Sequence, residues 1–179
     1  LSLTIVDVTN PVVSFRSPPT IVNSGDSASI EVRAIDAGAG VARIALSSSC
    51  GSVSDGGVLT INNGPSQTDQ AFTLDGLESC PPGTITLTLG GQDGVGNTAG
   101  AVQHQSTLRD NQAPSTALAL SSTTIDVSTA VTLTATVTDS SSGLAGLSFS
   151  VPCGSISAPH PLTFTGETNE QSIQRTWTV

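Results

Sequence analysis

Apolar and polar residues alternate along most of this chain with a period of two, the pattern of strands that turn one face to a core. Ala28, Ile30, Val32 and Ala34 face one way, while Ser29, Glu31 and Arg33 face the other. The same reading predicts a first strand over 12–16 and a third that buries Ala42, Ile44 and Leu46. A short fourth strand follows with Leu59 and Ile61, then a fifth with Phe72 and Leu74. The sixth, over 84–89, reads TITLTL and turns Ile85, Leu87 and Leu89 inward. A last strand runs over about 101–108, after the turn DGVGNTAG. No stretch keeps a helical apolar period.

The pattern then repeats. AIDAGAGVARIALSSSCGS, from Ala34 to Ser52, has a near copy in VTDSSSGLAGLSFSVPCGS, from Val137 to Ser155. Asp36 matches Asp139, Gly40 matches Gly143, Ile44 matches Leu147, Leu46 matches Phe149 and Cys50 matches Cys153, each 103 residues apart. Pro11 and Pro114 match where a linker becomes a strand, a place where Pro costs no ladder bond. The second strand's apolar face returns as Val131, Leu133, Ala135 and Val137, so its parity is fixed twice over. After a two-residue insertion, Phe72 and Leu74 align with Trp177 and Val179. A fixed period means one structural unit used twice.

Seven short strands in about one period, with frequent turns, predict an all-β chain of tandem immunoglobulin-like (fibronectin type III-like) sandwiches. The expected division is 1–6 as the end strand of a preceding repeat or a lead-in, 7–109 as one repeat, and 110–179 as a second repeat without its last two strands. The chain opens inside the strand-like run LSLTIVD without an initiator Met, so it reads as an excerpt of a longer protein. Nothing in the second unit matches Cys80, TITLTL or DGVGN. The expectation is that the native chain continues beyond Val179; strands supplied by another chain are the alternative.

The combination of D-x-x-AP at the start of a unit, TATVTDSSSGLAGLSFSV in its middle and TLTLGGQDGVGNTA near its end resembles the bacterial immunoglobulin-like repeats of secreted and cell-surface proteins. The resemblance covers nearly the whole chain and rests on turn and core signatures. It implies extracellular stalks, adhesin shafts or accessory modules of large secreted enzymes.

Charge narrows the partners. The formal net charge is −9; Lys is absent, and the five cations are all Arg. Nucleic acid is not an expected partner, because phosphate neutralisation needs clustered cations. No apolar run reaches the ~18 residues of a membrane span, so no membrane insertion is expected. The missing Lys also excludes intramolecular Lys–Asn isopeptide bonds.

Cysteine placement points to a disulfide. Cys50 ends the third strand and Cys80 precedes the sixth, and in an immunoglobulin-like sheet these strands are antiparallel neighbours. A Cys50–Cys80 bond therefore fits, with two buried thiols as the alternative. A disulfide implies an oxidising compartment, hence an extracellular or cell-surface location. Cys153 takes the place of Cys50, and the counterpart of Cys80 would lie in the missing part of the second unit. No disulfide partner is expected for Cys153 within this chain.

Acidic residues offer a second chemistry. Asp7 precedes the first strand, Asp36 opens the turn between strands two and three, and Asp93 opens the turn before the last strand, with Asn97 four residues on. In a sandwich these turns share one pole, so three carboxylates and an amide can converge there as oxygen ligands for calcium. Asp110 and Asp139 repeat the first two positions. The other reading, left open by the residues, is that each Asp caps its own turn through bonds to the backbone.

Catalysis finds no support. There is no GxSxG elbow, His104 reads as solvated and His160 lies between two prolines. Aromatics are scarce, and Trp177 is expected in the core, which counts against a sugar-stacking face. The sequence therefore reads as a non-catalytic extracellular spacer whose partners are neighbouring repeats of the same chain. The alternatives are an adhesive module for a host or cell-surface ligand, or a fibre subunit completed by another chain's strands.

Overall fold

Why strands form here is visible in Ala28–Ile35: Ile30 and Val32, flanked by Ala28 and Ala34, fill one face of a pleat, and Ser29, Glu31 and Arg33 lie on the other. The computed structural model describes residues 6–178 apart from 63, 125, 127, 128, 140, 159, 160 and 164–169, with backbone alone described for 170–177. Residues 1–5 of the expected lead-in, His160, Phe164, Val179 and the side chain of Trp177 lie outside the described residues. The chain is all-β and divides into two compact units, Leu1–Asn111 and Gln112–Val179.

Unit 1 is a sandwich. Its strands are β1 (Val12–Phe15), β2 (Ile21–Asn23), β3 (Ala28–Ile35), β4 (Val41–Ser48), β5 (Ser52–Val53), β6 (Val58–Thr60), β7 (Gln67–Asp75), β8 (Gly83–Asp93) and β9 (Val102–Arg109). One sheet has the order β1-β3-β7-β5, the other β2-β9-β8-β4-β6. Ile30, Val32, Ala34, Phe72 and Leu74 from the first sheet share one core with Ile44, Leu46, Ile85, Leu87, Leu89 and Leu108 from the second. This is the face-to-face packing of an immunoglobulin-like fold. On the outer face Arg33 sits directly opposite Asp69 and grips it with two hydrogen bonds of 2.6 and 2.7 Å.

Two features differ from the simple alternation. Val41 is buried and Ala42 only half-buried, because the register of β4 against β8 shifts between Val41 and Arg43. A bulge adds one residue to one strand, so parity inverts across it. Second, Ile21–Asn23 forms a strand that the alternation did not predict, pairing parallel with β9. The chain reaches it through Pro18 and Pro19, and the Pro19 carbonyl accepts the Ser106 hydroxyl at 2.7 Å and lies 3.1 Å from His104 Nε2. His104 is half-buried, its ring 5.7 Å from that of Phe15, and is thus a fastener of this crossover rather than a solvated residue.

Unit 2 comprises β10 (Ser115–Leu120), β11 (Ala130–Thr138), β12 (Gly146–Leu147), β13 (Ser155–Ile156), β14 (Leu162–Thr163) and β15 (Glu170–Thr178). The order β10-β11-β15-β13 reproduces β1-β3-β7-β5, and the pair β12-β14 reproduces β4-β6. Val131, Leu133, Ala135 and Val137 are buried. Trp177 pairs with Val131, just as Leu74 pairs with Ala28, so Trp177 stands at the Leu74 position, two residues from the alignment with Phe72. Opposite Leu133 is Arg175, as Phe72 is opposite Ile30, so β15 keeps the 103-residue period and the expected two-residue insertion does not appear in the strand pairing.

Phe72 is 1% exposed and central to the core of unit 1. Phe72→Ala is expected to lower unfolding stability by about 3–5 kcal/mol, and exposed Thr73→Ala by less than about 0.5 kcal/mol. Urea denaturation followed by circular dichroism measures both; equal effects would contradict the core assignment.

Candidate functional site

Three turns meet at one pole of unit 1, and each is organised by an aspartate. The β3–β4 turn opens with Asp36, whose Oδ2 accepts the Gly40 N–H at 2.7 Å, while its own N–H donates to the Ser66 carbonyl at 2.8 Å. Gly40 has φ +75°, a conformation that favours glycine, and its carbonyl accepts the Gly94 N–H from the β8–β9 turn at 3.0 Å. Asp93 Oδ1 accepts the N–H groups of Val95 and Asn97 at 3.0 and 2.7 Å, and Oδ2 accepts the Asn97 amide at 2.6 Å. Asp7, from the segment before β1, accepts Thr9 N–H on Oδ1 at 2.9 Å and Ala39 N–H on Oδ2 at 2.7 Å. Asn97 Nδ2 also donates to the Asp7 carbonyl at 3.2 Å, joining the lead-in to the β8–β9 turn. A Cβ at Gly38 would overlap the Asp7 carboxylate, so the absent side chain is what admits it.

Turn capping and convergence are thus both present. The carboxylates of Asp7, Asp36 and Asp93 each place an oxygen within 4.8 Å of the others. Asp36 and Asp93 are 3% and 2% exposed. Five of the six carboxylate oxygens accept a hydrogen bond. The sixth, Asp36 Oδ1, is buried and has no donor among the described residues. No arginine or histidine forms an ion pair with the three among the described residues. Hydrogen bonds from Thr9 and then Ala39 hold the Asp7 carboxyl below the usual carboxylate range. Burial pushes Asp93 up, but the Asn97, Val95 and Gly96 donors outweigh it and leave a net lowering. Asn97 is set among them as a donor, its amide N–H bridging Asp7 and Asp93. In unit 2, Asp139 Oδ1 caps the matching turn through Ser141 and Gly143 N–H at 3.0 and 3.2 Å.

At the other end of β4, Cys50 and Cys80 form a disulfide with Cα atoms 6.0 Å apart. Cys80 is 1% exposed and belongs to the hydrophobic core. Cys153 is exposed in unit 2.

No protein-family model matches the chain, and no curated protein matches its sequence. Among solved structures it is similar to the SrpA adhesin from Streptococcus sanguinis, at TM-score 0.45 and 16% identity over 60% of this chain. The match spans 61% of that adhesin's chain. It is also similar to the sialic acid binding region of the Streptococcus sanguinis SK1 adhesin, there bound to 3'sLn, at TM-score 0.41 and 16% identity, covering 59% of this chain and 31% of that one. A third is the D00-D0 domain of intimin, at TM-score 0.40 and 18% identity, covering 93% and 86%. Likeness at this level carries no argument about function.

The disulfide closes a loop of 30 residues, a stabilisation of about 3.6 kcal/mol in the chain-entropy model. Cys50→Ala/Cys80→Ala is expected to lose that amount. Reduction of the native chain should match the double variant in denaturant midpoint. A midpoint unmoved by reductant would contradict a structural role for the bond.

Proposed function

We propose that this chain is a non-catalytic structural module, a spacer in the extracellular part of a multi-repeat bacterial surface or secreted protein. The observation that carries the reading is the duplicated frame. The order of one whole sheet of unit 1 recurs in unit 2, together with one strand pair of the other sheet, as it does in proteins that gain length by repeating a sandwich. The Cys50–Cys80 bond adds support for an oxidising compartment. Among the described residues no helix is long and apolar enough to cross a membrane. His104 is occupied by Pro19 and Phe15 in a structural contact, which agrees with a scaffold rather than a catalytic residue. Neighbouring repeats of the same chain are the proposed partners.

A spacer must bear load without losing length, and the disulfide shields 30 residues of unit 1 from extension. Pulled by its ends, the oxidised chain is expected to lengthen by about 100 Å less than the reduced chain, at ~3.4 Å per residue. A glycan and host-cell binding screen run beside it should give no saturable signal. Saturable binding lost on substitution in one cluster of loops would replace the spacer reading with the adhesive one.

A further inference from the structure

We propose that one calcium ion binds at the pole of unit 1, held between the carboxylates of Asp7, Asp36 and Asp93. Three carboxylates gathered within 4.8 Å without a counter-charge among the described residues concentrate negative charge where two of them are almost fully buried. Turn capping accounts for five oxygens and leaves the sixth unexplained: Asp36 Oδ1 is enclosed in protein with no donor. A buried polar atom without a partner points to a missing ligand. The donor set is entirely oxygen, which suits a hard cation and not zinc or copper. Oxygens bound to one calcium at 2.3–2.6 Å lie no more than about 5 Å apart, the spacing these three show. Both Asp7 oxygens and Asp93 Oδ2 accept one N–H each and keep a second lone pair, so the caps do not prevent ligation, although Asp93 Oδ1 already accepts two. Calcium is favoured over magnesium because the three groups come from three separate turns, and calcium tolerates the irregular sphere such turns supply.

The ion would tie the segment before β1 to the β3–β4 turn between the sheets and to the β8–β9 turn of the second sheet. That would fix the direction in which the chain enters the sandwich, and so deepens the spacer reading. The geometry does not depend on that reading, since the ligands all belong to unit 1.

The test uses the full chain, stripped with a chelator and titrated with calcium chloride by calorimetry, with thermal unfolding in calcium and in chelator alongside. The expected result is one calcium per chain and a melting temperature several degrees higher in calcium than in chelator. Asp36→Asn keeps an oxygen for the Gly40 N–H and should weaken calcium binding at least about tenfold, as affinity follows ligand charge. It should melt no lower than the native chain in chelator, because it removes one of three mutually repelling charges. Asp139→Asn, the matching change in unit 2, should bind calcium as the native chain does. Gly38→Ala, which displaces the Asp7 carboxylate, gives a second perturbation that leaves Asp36 and Asp93 intact. Native binding that is absent up to about 10 mM, beyond the ~10⁻³ M of weak extracellular sites, with melting indifferent to calcium, overturns the proposal. Unaltered binding in both Asp36→Asn and Gly38→Ala overturns it too. Either result leaves the extension experiment on the spacer reading untouched.

Discussion

The register between β4 and β8 is the constraint on which the rest of unit 1 depends. Leu46 lies opposite Leu89 and Ile44 opposite Gly91, so the inward faces of both strands meet one core. A slip of one residue would turn every one of these side chains to solvent. The same pairing places the chemistry at both ends of the ladder. Toward one end Val41 stands opposite Asp93, which sets the β3–β4 turn beside the β8–β9 turn and brings Asp36 to Asp93. Beyond the other end the chain leads out of β4 into Cys50 and into β8 from Cys80. The bulge at Val41–Arg43 allows this: it turns Val41 into the core while the following residues keep the inward parity of Ile44 and Leu46.

Regions of strict alternation were legible from sequence. Ile30, Val32 and Ala34 are buried, as are Ile85, Leu87 and Leu89, because in these strands period two is unbroken and local pattern decides the face. The exchange of Val41 for Ala42 was not legible, since both are apolar and a bulge depends on how two strands separated by about fifty residues fit together. β2 was hidden for a related reason. SPPTIVNSGD reads as turn residues, and its parallel partner β9 is 86 residues further along the chain. Parallel pairing leaves no hairpin signal. At the pole, the residue types and their turns were legible. That Asp7 reaches Ala39 was not, because the bond crosses 32 residues and needs the bare Cα of Gly38 to admit it.

The core explains why a covalent tie is useful. The whole chain has four Phe, one Trp and no Tyr, and Phe72 is the one aromatic among the largest fully buried side chains described. Val, Ile and Leu fill the remainder, each removing less apolar surface from water than an aromatic ring would. The disulfide acts on the other side of the balance, reducing the freedom of the unfolded chain between β4 and β8. With Cys80 itself packed in the core, the bond also joins the β7–β8 connection to the sheet it faces.

Comparing the two aspartates of the repeat separates capping from charge clustering. Asp36 and Asp139 sit at matching positions, both are buried, and both take a backbone N–H from the matching glycine, Gly40 or Gly143. The turn therefore needs an aspartate for its own closure, and conformation suffices to explain that residue in each unit. Closure explains one oxygen of Asp36. It does not explain why Asp7 and Asp93 are gathered to the same place, since each has a turn of its own to cap and could do so facing solvent. Bringing like charges together against their repulsion raises the free energy of the fold unless something offsets it. The Asn97 amide offsets part, donating to Asp93 and to the Asp7 backbone. It leaves Asp36 Oδ1 without a partner, and that oxygen is where the turn's own hydrogen bonding stops being a sufficient account.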